Sequence, residues 1–303
     1  MTTNTKKLST VLQERRNNLS EWMKDPEKHK PISVGIQEVN DMIFGGLPRD
    51  PFYFALIGSA KAGKTTVSLN LVLNFCAISG ESTALYMLEE INRQVADRVF
   101  ARSSDLVSRS KLFQLALGDD DFEEMDRTIQ DFADTKFFVN DSLFDINAIL
   151  ADAKSIGVKR IVIDNFQLMT GGDGRDERTK LVEQSKMLMR ARKDGITTFL
   201  VSQGNDKGES FGSTQVRMDA DLVIGIQQVL TDEKDKKSEP MTNMRKLKVL
   251  RSRFSPQDVE CNIFFDGNHS RILRVPKKMP ENIEFPDHII NELLEATDSK
   301  GED

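Results

Sequence analysis

The stretch Gly58-Ser59-Ala60-Lys61-Ala62-Gly63-Lys64-Thr65 constrains this chain more than any other. It satisfies the phosphate-loop pattern G-x-x-x-x-G-K-[ST] at every fixed position. The apolar run at 52–57 reads as a buried strand. Residues 66–78 read as a helix, with Val67, Leu71, Phe75 and Ile78 along one face. In that setting the backbone N–H groups turn towards a polyphosphate, and the helix N-terminus adds partial positive charge. Gly58, Ser59, Ala60, Lys61, Ala62, Gly63 and Thr66 complete the cradle around Lys64 and Thr65. Lys64 is the candidate for the β- and γ-phosphates, and the Thr65 hydroxyl for Mg²⁺. The expected cofactors are therefore a nucleoside triphosphate, ATP or another, and Mg²⁺.

The remaining chemistry is expected at the ends of other strands. An apolar run at 160–163 closes on Asp164, the pattern of a Walker B strand whose carboxylate holds Mg²⁺ directly or through water. The strand at 83–88 ends in Glu89-Glu90. A carboxylate there faces the ligand crevice of a parallel sheet and can polarise a water, or it caps the helix that follows; both readings stand. The strand at 197–201 ends in Ser202-Gln203, where an amide can sense a γ-phosphate. Glycine-rich loops follow at 171–178 and 204–215. Strands near 246–250 and 261–265 bracket Arg251-Ser252-Arg253.

Outside this core, residues 8–23 carry Leu8, Val11, Leu12, Leu19, Trp22 and Met23 near one helical stripe, followed by a charged linker at 24–31. The stripe either folds back on its own domain or docks on a neighbouring subunit. Residues 91–135 read as charged helix without assignable chemistry, and Asp119-Asp120-Asp121 as a solvated helix start. Three domains are expected: an arm at 1–31, an ATPase domain at 32–276 and an acidic tail at 277–303. A net charge of −6 argues against a protein that coats nucleic acid over its whole surface, while leaving room for a basic groove. Cys76 and Cys261 read as buried thiols without metal-ligand spacing. No run is long and apolar enough to span a bilayer and no signal peptide is evident, so a cytoplasmic protein without a membrane partner is expected.

These pieces resemble, in order, the RecA-like ATPase domain of DnaB-type hexameric replicative helicases, in a compact, bacteriophage-like version. The resemblance rests on the entry at 33–41 (SVGIQEVND), the phosphate loop, Tyr86-Met87-Leu88-Glu89 and the string at 161–169 (IVIDNFQLM). It continues through Leu200-Val201-Ser202-Gln203, Asp219-Ala220-Asp221-Leu222-Val223 and Arg251-Ser252-Arg253. It implies an α/β fold with a central, mostly parallel sheet flanked by helices. It also implies a homo-hexameric ring with nucleotide at each subunit boundary, acting on single-stranded or forked DNA. Glu89 is then similar to the family's water-activating glutamate and Gln203 to its phosphate sensor. Arg253, with Arg251, is similar to the cationic finger that reaches a neighbour's nucleotide. The glycine-rich loops are similar to those lining the DNA channel, giving Arg175, Lys207, Ser210, Gly212 and Ser213 as DNA contacts. The helix at 8–23 is similar to the linker helix that docks on the next subunit. The expected departures from the pattern are the lack of a primase or primase-binding domain before that helix, Phe211 rather than a basic residue before Gly212, and Arg251 where lysine is usual. A primase, polymerase or helicase loader is an implied partner. The competing expectations are a RecA- or KaiC-like ATPase that does not unwind DNA, and a nucleotide-gated scaffold.

Overall fold

The structure is a computed structural model, and it describes residues 5–174, 176–204, 213–230 and 240–274. A helix α1 (Leu8–Trp22) leads through a short 3₁₀ turn to α2 (Gln37–Met42). The α/β core follows as β1 (Tyr53–Gly58), α3 (Lys64–Ser79), β2 (Thr83–Met87), α4 (Asn92–Ser103), α5 (Arg109–Gln114), α6 (Asp119–Ala133) and β3 (Phe137–Asn140). It continues with α7 (Ile146–Ser155), β4 (Arg160–Asp164), α8 (Glu177–Ala191), β5 (Thr197–Gln203), α9 (Ser213–Asp219) and β6 (Leu222–Leu230). Three closing strands are β7 (Pro240–Ser252), β8 (Glu260–Asp266) and β9 (Arg271–Leu273).

The nine strands form one sheet in the order β3-β2-β4-β5-β1-β6-β7-β8-β9. The six from β3 to β6 are parallel, and β7 to β9 run antiparallel. Strands buried on both faces read as continuous apolar runs, which is why β1 and β4 are plain in the sequence. In β1 the side chains alternate: Phe54 and Leu56 enter a core shared with α2, α3 and the closing strands, while Tyr53, Ala55 and Ile57 enter the core under α7, α8 and α9.

At the base of β1 the rings of Phe52, Phe54, Phe75 and Phe199 pack edge-on or tilted, with centroids 5.4–6.3 Å apart. The Arg160 guanidinium lies over Phe75 at 4.2 Å. This cluster fixes the far end of α3, so the helix start stays above the C-terminal edge of β1. Parallel strands bring their loops to that one edge. Gly58 is level with Gln203 of β5, and Asp164 is level with Val201 on one side and Met87 on the other. The phosphate loop, Glu89, Asp164 and Gln203 therefore lie along a single crevice rim.

The expected single helical stretch at 91–135 is three helices. Asp121 is not solvated: it is buried, accepts from Lys111 Nζ at 2.9 Å and caps α6 through Gly118 N. The first helix settles an alternative as well. None of the residues of α1 is buried, so it does not fold back on the domain core. Leu8, Leu12 and Met23 are more than 60% exposed, and Trp22 lies between Arg15 and His29. The segment at 231–239 and the tail from 275 lie outside the described residues.

Candidate active site

The phosphate loop keeps its glycines for steric reasons. A Cβ on Gly58 would stand 2.5 Å from Ile226 Cγ2 and 2.6 Å from the Ile226 carbonyl oxygen. Gly63 has φ +91°, and its Cβ would meet the Phe265 ring at 2.6 Å. Phe265 belongs to β8, and the buried Arg245 of β7 lies over its ring at 4.3 Å while donating from Nε to the Ala62 carbonyl at 2.8 Å. The closing strands thus brace the loop from behind, a role that nothing near Arg245 in the sequence announces.

Lys64 opens α3, and its ammonium donates to the Ser59 carbonyl at 2.8 Å, closing the loop on itself. Burial pulls that ammonium down, and the Asp164 and Glu89 carboxylates oppose the shift. Asp164 is buried, shares a small cavity with Thr65, and has Oδ2 lacking a hydrogen-bond partner among the described residues. Burial raises its carboxyl to about 6; Thr65 and Lys64 lower it, while Glu89 and Glu90 add to the rise. A buried carboxylate with an unused oxygen beside a threonine hydroxyl and a helix N-terminus suits a divalent cation carrying phosphate oxygens.

The two glutamates after β2 separate in role. Glu90 forms a bidentate pair with Arg98 of α4 at 2.5 and 2.8 Å, and Arg98 Nη1 also donates to the Thr66 hydroxyl at 3.1 Å. Neither glutamate caps α4; the Ile91 N–H donates to Gln94 Oε1 and the Asn92 N–H to Asp141 Oδ2. Glu89 is exposed at the crevice rim and accepts from Asn165 Nδ2 at 3.2 Å. Asn165 also accepts from the Gln167 N–H. Gln167 in turn clamps the end of β5: its Nε2 donates to the Ser202 hydroxyl and the Gln203 carbonyl, and its Oε1 accepts from the Gln203 N–H at 2.9 Å. The residues after Asp164 therefore tie the Glu89 strand to the Gln203 strand.

Arg251 and Arg253 are not at this crevice. Ser252 pairs with Leu222, which is level with Phe54 at the other end of β1. Phe54 to Gly58 is four residues, about 13 Å of strand. Arg253 Nη1 donates to Asp221 Oδ1 at 3.0 Å, and Arg251 Nη1 donates to the Arg217 carbonyl. The domain brings Lys64, Thr65, Glu89, Asp164 and Gln203 together and holds both arginines at the opposite edge. Of the candidate DNA contacts, Arg175, Lys207, Ser210 and Gly212 lie outside the described residues, and Ser213 opens α9.

The profile of the DnaB-like helicase C-terminal domain matches residues 31–273. The chain belongs to that family. It is 25% identical over 260 residues to the replicative DNA helicase DnaB of Buchnera aphidicola subsp. Schizaphis graminum, covering 79% of this chain and 54% of that protein. The Rickettsia felis DnaB is 23% identical over 189 residues, 57% of this chain and 38% of its own length. The chain spans about half or less of the length of these relatives. Among solved structures, one described as an ATPase domain superposes with TM-score 0.73 at 16% identity, over 88% of this chain and 99% of that one. A DnaB-like replicative helicase described with its interactions with primase gives 0.71 at 16% identity, over 90% and 68%. A KaiC-like protein from Pyrococcus horikoshii OT3 gives 0.56 at 20% identity, over 82% and 100%. The RecA-like fold is common to these DnaB-like and KaiC-like chains, whereas the family profile assigns this one to the DnaB-like domains. Within this DnaB-like domain, sequence reading alone left Asn165, Gln167, Arg98 and Arg245 without roles. Asn165 and Gln167 stood inside the string that carried the resemblance; Arg98 and Arg245 gave no signal.

Proposed function

We propose that this chain is the ATP-hydrolysing motor of a ring that moves along single-stranded DNA and unwinds duplex at a fork. The observation that carries the reading is the division of one catalytic set between opposite edges of the sheet. Lys64, Thr65, Glu89, Asp164 and Gln203 share the crevice, while Arg251 and Arg253 sit at the far edge of the same sheet. A guanidinium so placed serves the crevice of a neighbouring copy, where it offsets the charge that develops on a transferring phosphoryl group. The exposed apolar stripe of α1 supports the same assembly. Leu8, Val11, Leu12 and Leu19 have no cover among the described residues, and a second copy supplies it. The arm at 1–31, the motor at 32–276 and the tail at 277–303 are the working division, with six copies as the expected ring.

In this reading Lys64 and the loop N–H groups bind the triphosphate, and Thr65 and Asp164 hold Mg²⁺. Bound Mg²⁺ withdraws charge from the phosphate oxygens. Glu89 orients and deprotonates the attacking water, with Asn165 fixing its carboxylate. Gln203, its backbone clamped by Gln167, stands at the root of the 204–215 loop and so reports the state of the crevice to the DNA side. Arg175, Lys207, Ser210, Gly212 and Ser213 are the proposed DNA contacts. A primase is the first partner to test, with a polymerase or loader next; one of the DnaB-like neighbours is described together with its primase interactions.

The test is ATP-dependent strand displacement from a forked duplex, with Lys64→Ala and Arg253→Ala as controls. Displacement by the native chain, lost in both variants, is the expected result. ATP hydrolysis indifferent to single strands, without displacement, would move the assignment to a KaiC-like regulatory ATPase.

A further inference from the structure

The helix that follows the two glutamates is bound to the phosphate-loop helix through polar side chains. On α3, Thr66, Asn70 and Asn74 stand one turn apart. On α4, Arg98 and Arg102 are also one turn apart, and they meet that row. Arg98 Nη1 donates to the Thr66 hydroxyl at 3.1 Å, Arg102 Nε to Asn70 Oδ1 at 3.1 Å, and Arg102 Nη2 to Asn74 Oδ1. Asn70 is anchored in turn, its Nδ2 donating to the Ser270 carbonyl at 2.7 Å, just ahead of β9. Thr66, Asn70 and Arg98 are buried.

Apolar side chains would bury the same surface but let α4 slide or turn against α3. Hydrogen bonds of this set hold at one register, and a slip of one residue moves a helix by about 1.5 Å. The seam ends at Glu90, whose carboxylate Arg98 holds at 2.5 and 2.8 Å. That pair is largely out of water, with the Glu90 side chain 19% exposed and that of Arg98 11%. Arg98 thus grips two residues that adjoin the site: Glu90 next to Glu89, and Thr66 next to Thr65. It also lines the small cavity that Thr65 and Asp164 share. Glu89, by contrast, is exposed and accepts from Asn165 Nδ2 at 3.2 Å. That bond orients its carboxylate. Where the carboxylate stands is set by the backbone of the turn that Glu90 anchors.

We propose that Glu90 and Arg98 are positioning residues that fix the turn after β2 to the first turn of α3, and so set the distance between the Glu89 carboxylate and the phosphate site formed by Lys64 and Thr65. The proposal rests on the reading of Glu89 as the group that activates water. Attack needs the reacting atoms about 3–3.5 Å apart, and an error of about 1 Å costs about a hundredfold in rate. Triphosphate binding does not depend on that turn, because Lys64 and the loop N–H groups belong to α3 and the loop before it. The pair therefore acts on the hydrolysis step and leaves nucleotide affinity alone. A bonded pair supplies this precision where an equally stable apolar contact does not.

The experiment uses the full chain and measures single-turnover ATP hydrolysis, affinity for a fluorescent ATP analogue with Mg²⁺, melting temperature and light scattering. Glu89→Gln is expected to bind nucleotide as native does and to lose hydrolysis. Arg98→Lys keeps a cation for Glu90 but cannot keep all three bonds to Glu90 and Thr66. Its hydrolysis step should fall about tenfold or more, with affinity within about threefold of native. Glu90→Met combined with Arg98→Met removes both charges at similar volume, so melting temperature and assembly should stay native. Its hydrolysis step should again fall about tenfold or more. Native hydrolysis in the double variant, with Glu89→Gln inactive, overturns the positioning role and leaves the Glu89 reading standing. Rate, affinity and melting temperature falling together in both Arg98 variants mark a merely structural pair and also overturn it. Undiminished hydrolysis in Glu89→Gln removes the underlying reading and this inference together.

Discussion

Replacing Asp164 by asparagine is expected to stabilise the ligand-free fold while abolishing its response to magnesium nucleotide. Burial is the largest cause of the rise of the Asp164 carboxyl from 3.8 to about 6. A folded-state pKa above the unfolded one means that the folded chain binds the extra proton between those values. The stability this group contributes is complete below about pH 4 and is lost as pH rises through 6. At pH 7.5 the ionised carboxylate opposes folding by about 3 kcal/mol, taking about 1.4 kcal/mol per decade. Asparagine keeps the shape but brings an N–H₂ group to the place where Oδ2 has no partner among the described residues, at a cost of about 1 kcal/mol. The net gain is about 2 kcal/mol, or roughly 4–8 °C in melting temperature for a domain of this size. Thermal unfolding by circular dichroism at pH 7.5 reads it directly, and the gap to native should narrow towards pH 5. Excess Mg-ATP should raise the native melting temperature by mass action and leave the variant unmoved. A variant that melts at or below the native temperature at pH 7.5, or that gains as much as native from Mg-ATP, refutes the reasoning.

Three further outcomes follow from the geometry. Gly63→Ala places a methyl group 2.6 Å from the Phe265 ring at φ +91°, so fluorescent-nucleotide titration should show at least a hundredfold weaker binding and urea unfolding a loss of about 2 kcal/mol. Arg98→Ala leaves the part-buried Glu90 unpaired and the Thr66 hydroxyl without its donor; denaturant unfolding should record a loss of about 3 kcal/mol. Leu12→Asp lies on the uncovered face of α1; light scattering should show the assembly reduced to smaller species, with the unfolding free energy of the domain changed by less than about 0.5 kcal/mol.

The parts of the fold visible in the sequence are those set by local rules. Strand, glycine loop and helix at 53–79 can be read because the glycine spacing and the apolar runs on either side admit few other conformations. Asp164 is visible because β4 is apolar up to its last residue. The closing strands are less so. Arg245, Lys246 and Lys248 interrupt the apolar pattern of β7, which therefore extends well beyond the expected 246–250, and β9 is three residues long. The pairings that organise the site could not be read, because they join residues far apart in sequence: Asn165 with Glu89, Arg245 with Ala62, and Arg253 with Asp221. The two readings of the Glu89-Glu90 carboxylates had the same local pattern, and the approach of Gln94 and Asp141 to the first N–H groups of α4 removes the capping one. Likewise the stripe of α1 was equally compatible with folding back and with docking, and its exposure removes the first of these.

The central claim, that each crevice is completed by the neighbour's Arg253, is tested most directly by mixing two defective chains. Lys64→Ala lacks the phosphate-binding ammonium and Arg253→Ala lacks the guanidinium, so each alone should hydrolyse ATP negligibly. Mixed in equal amounts and allowed to exchange subunits, about one interface in four pairs an intact loop with an intact Arg253. The account predicts that hydrolysis reappears in the mixture, up to about a quarter of the native rate. A mixture that forms mixed assemblies yet stays inactive, or an Arg253→Ala chain that hydrolyses at the native rate alone, would contradict it.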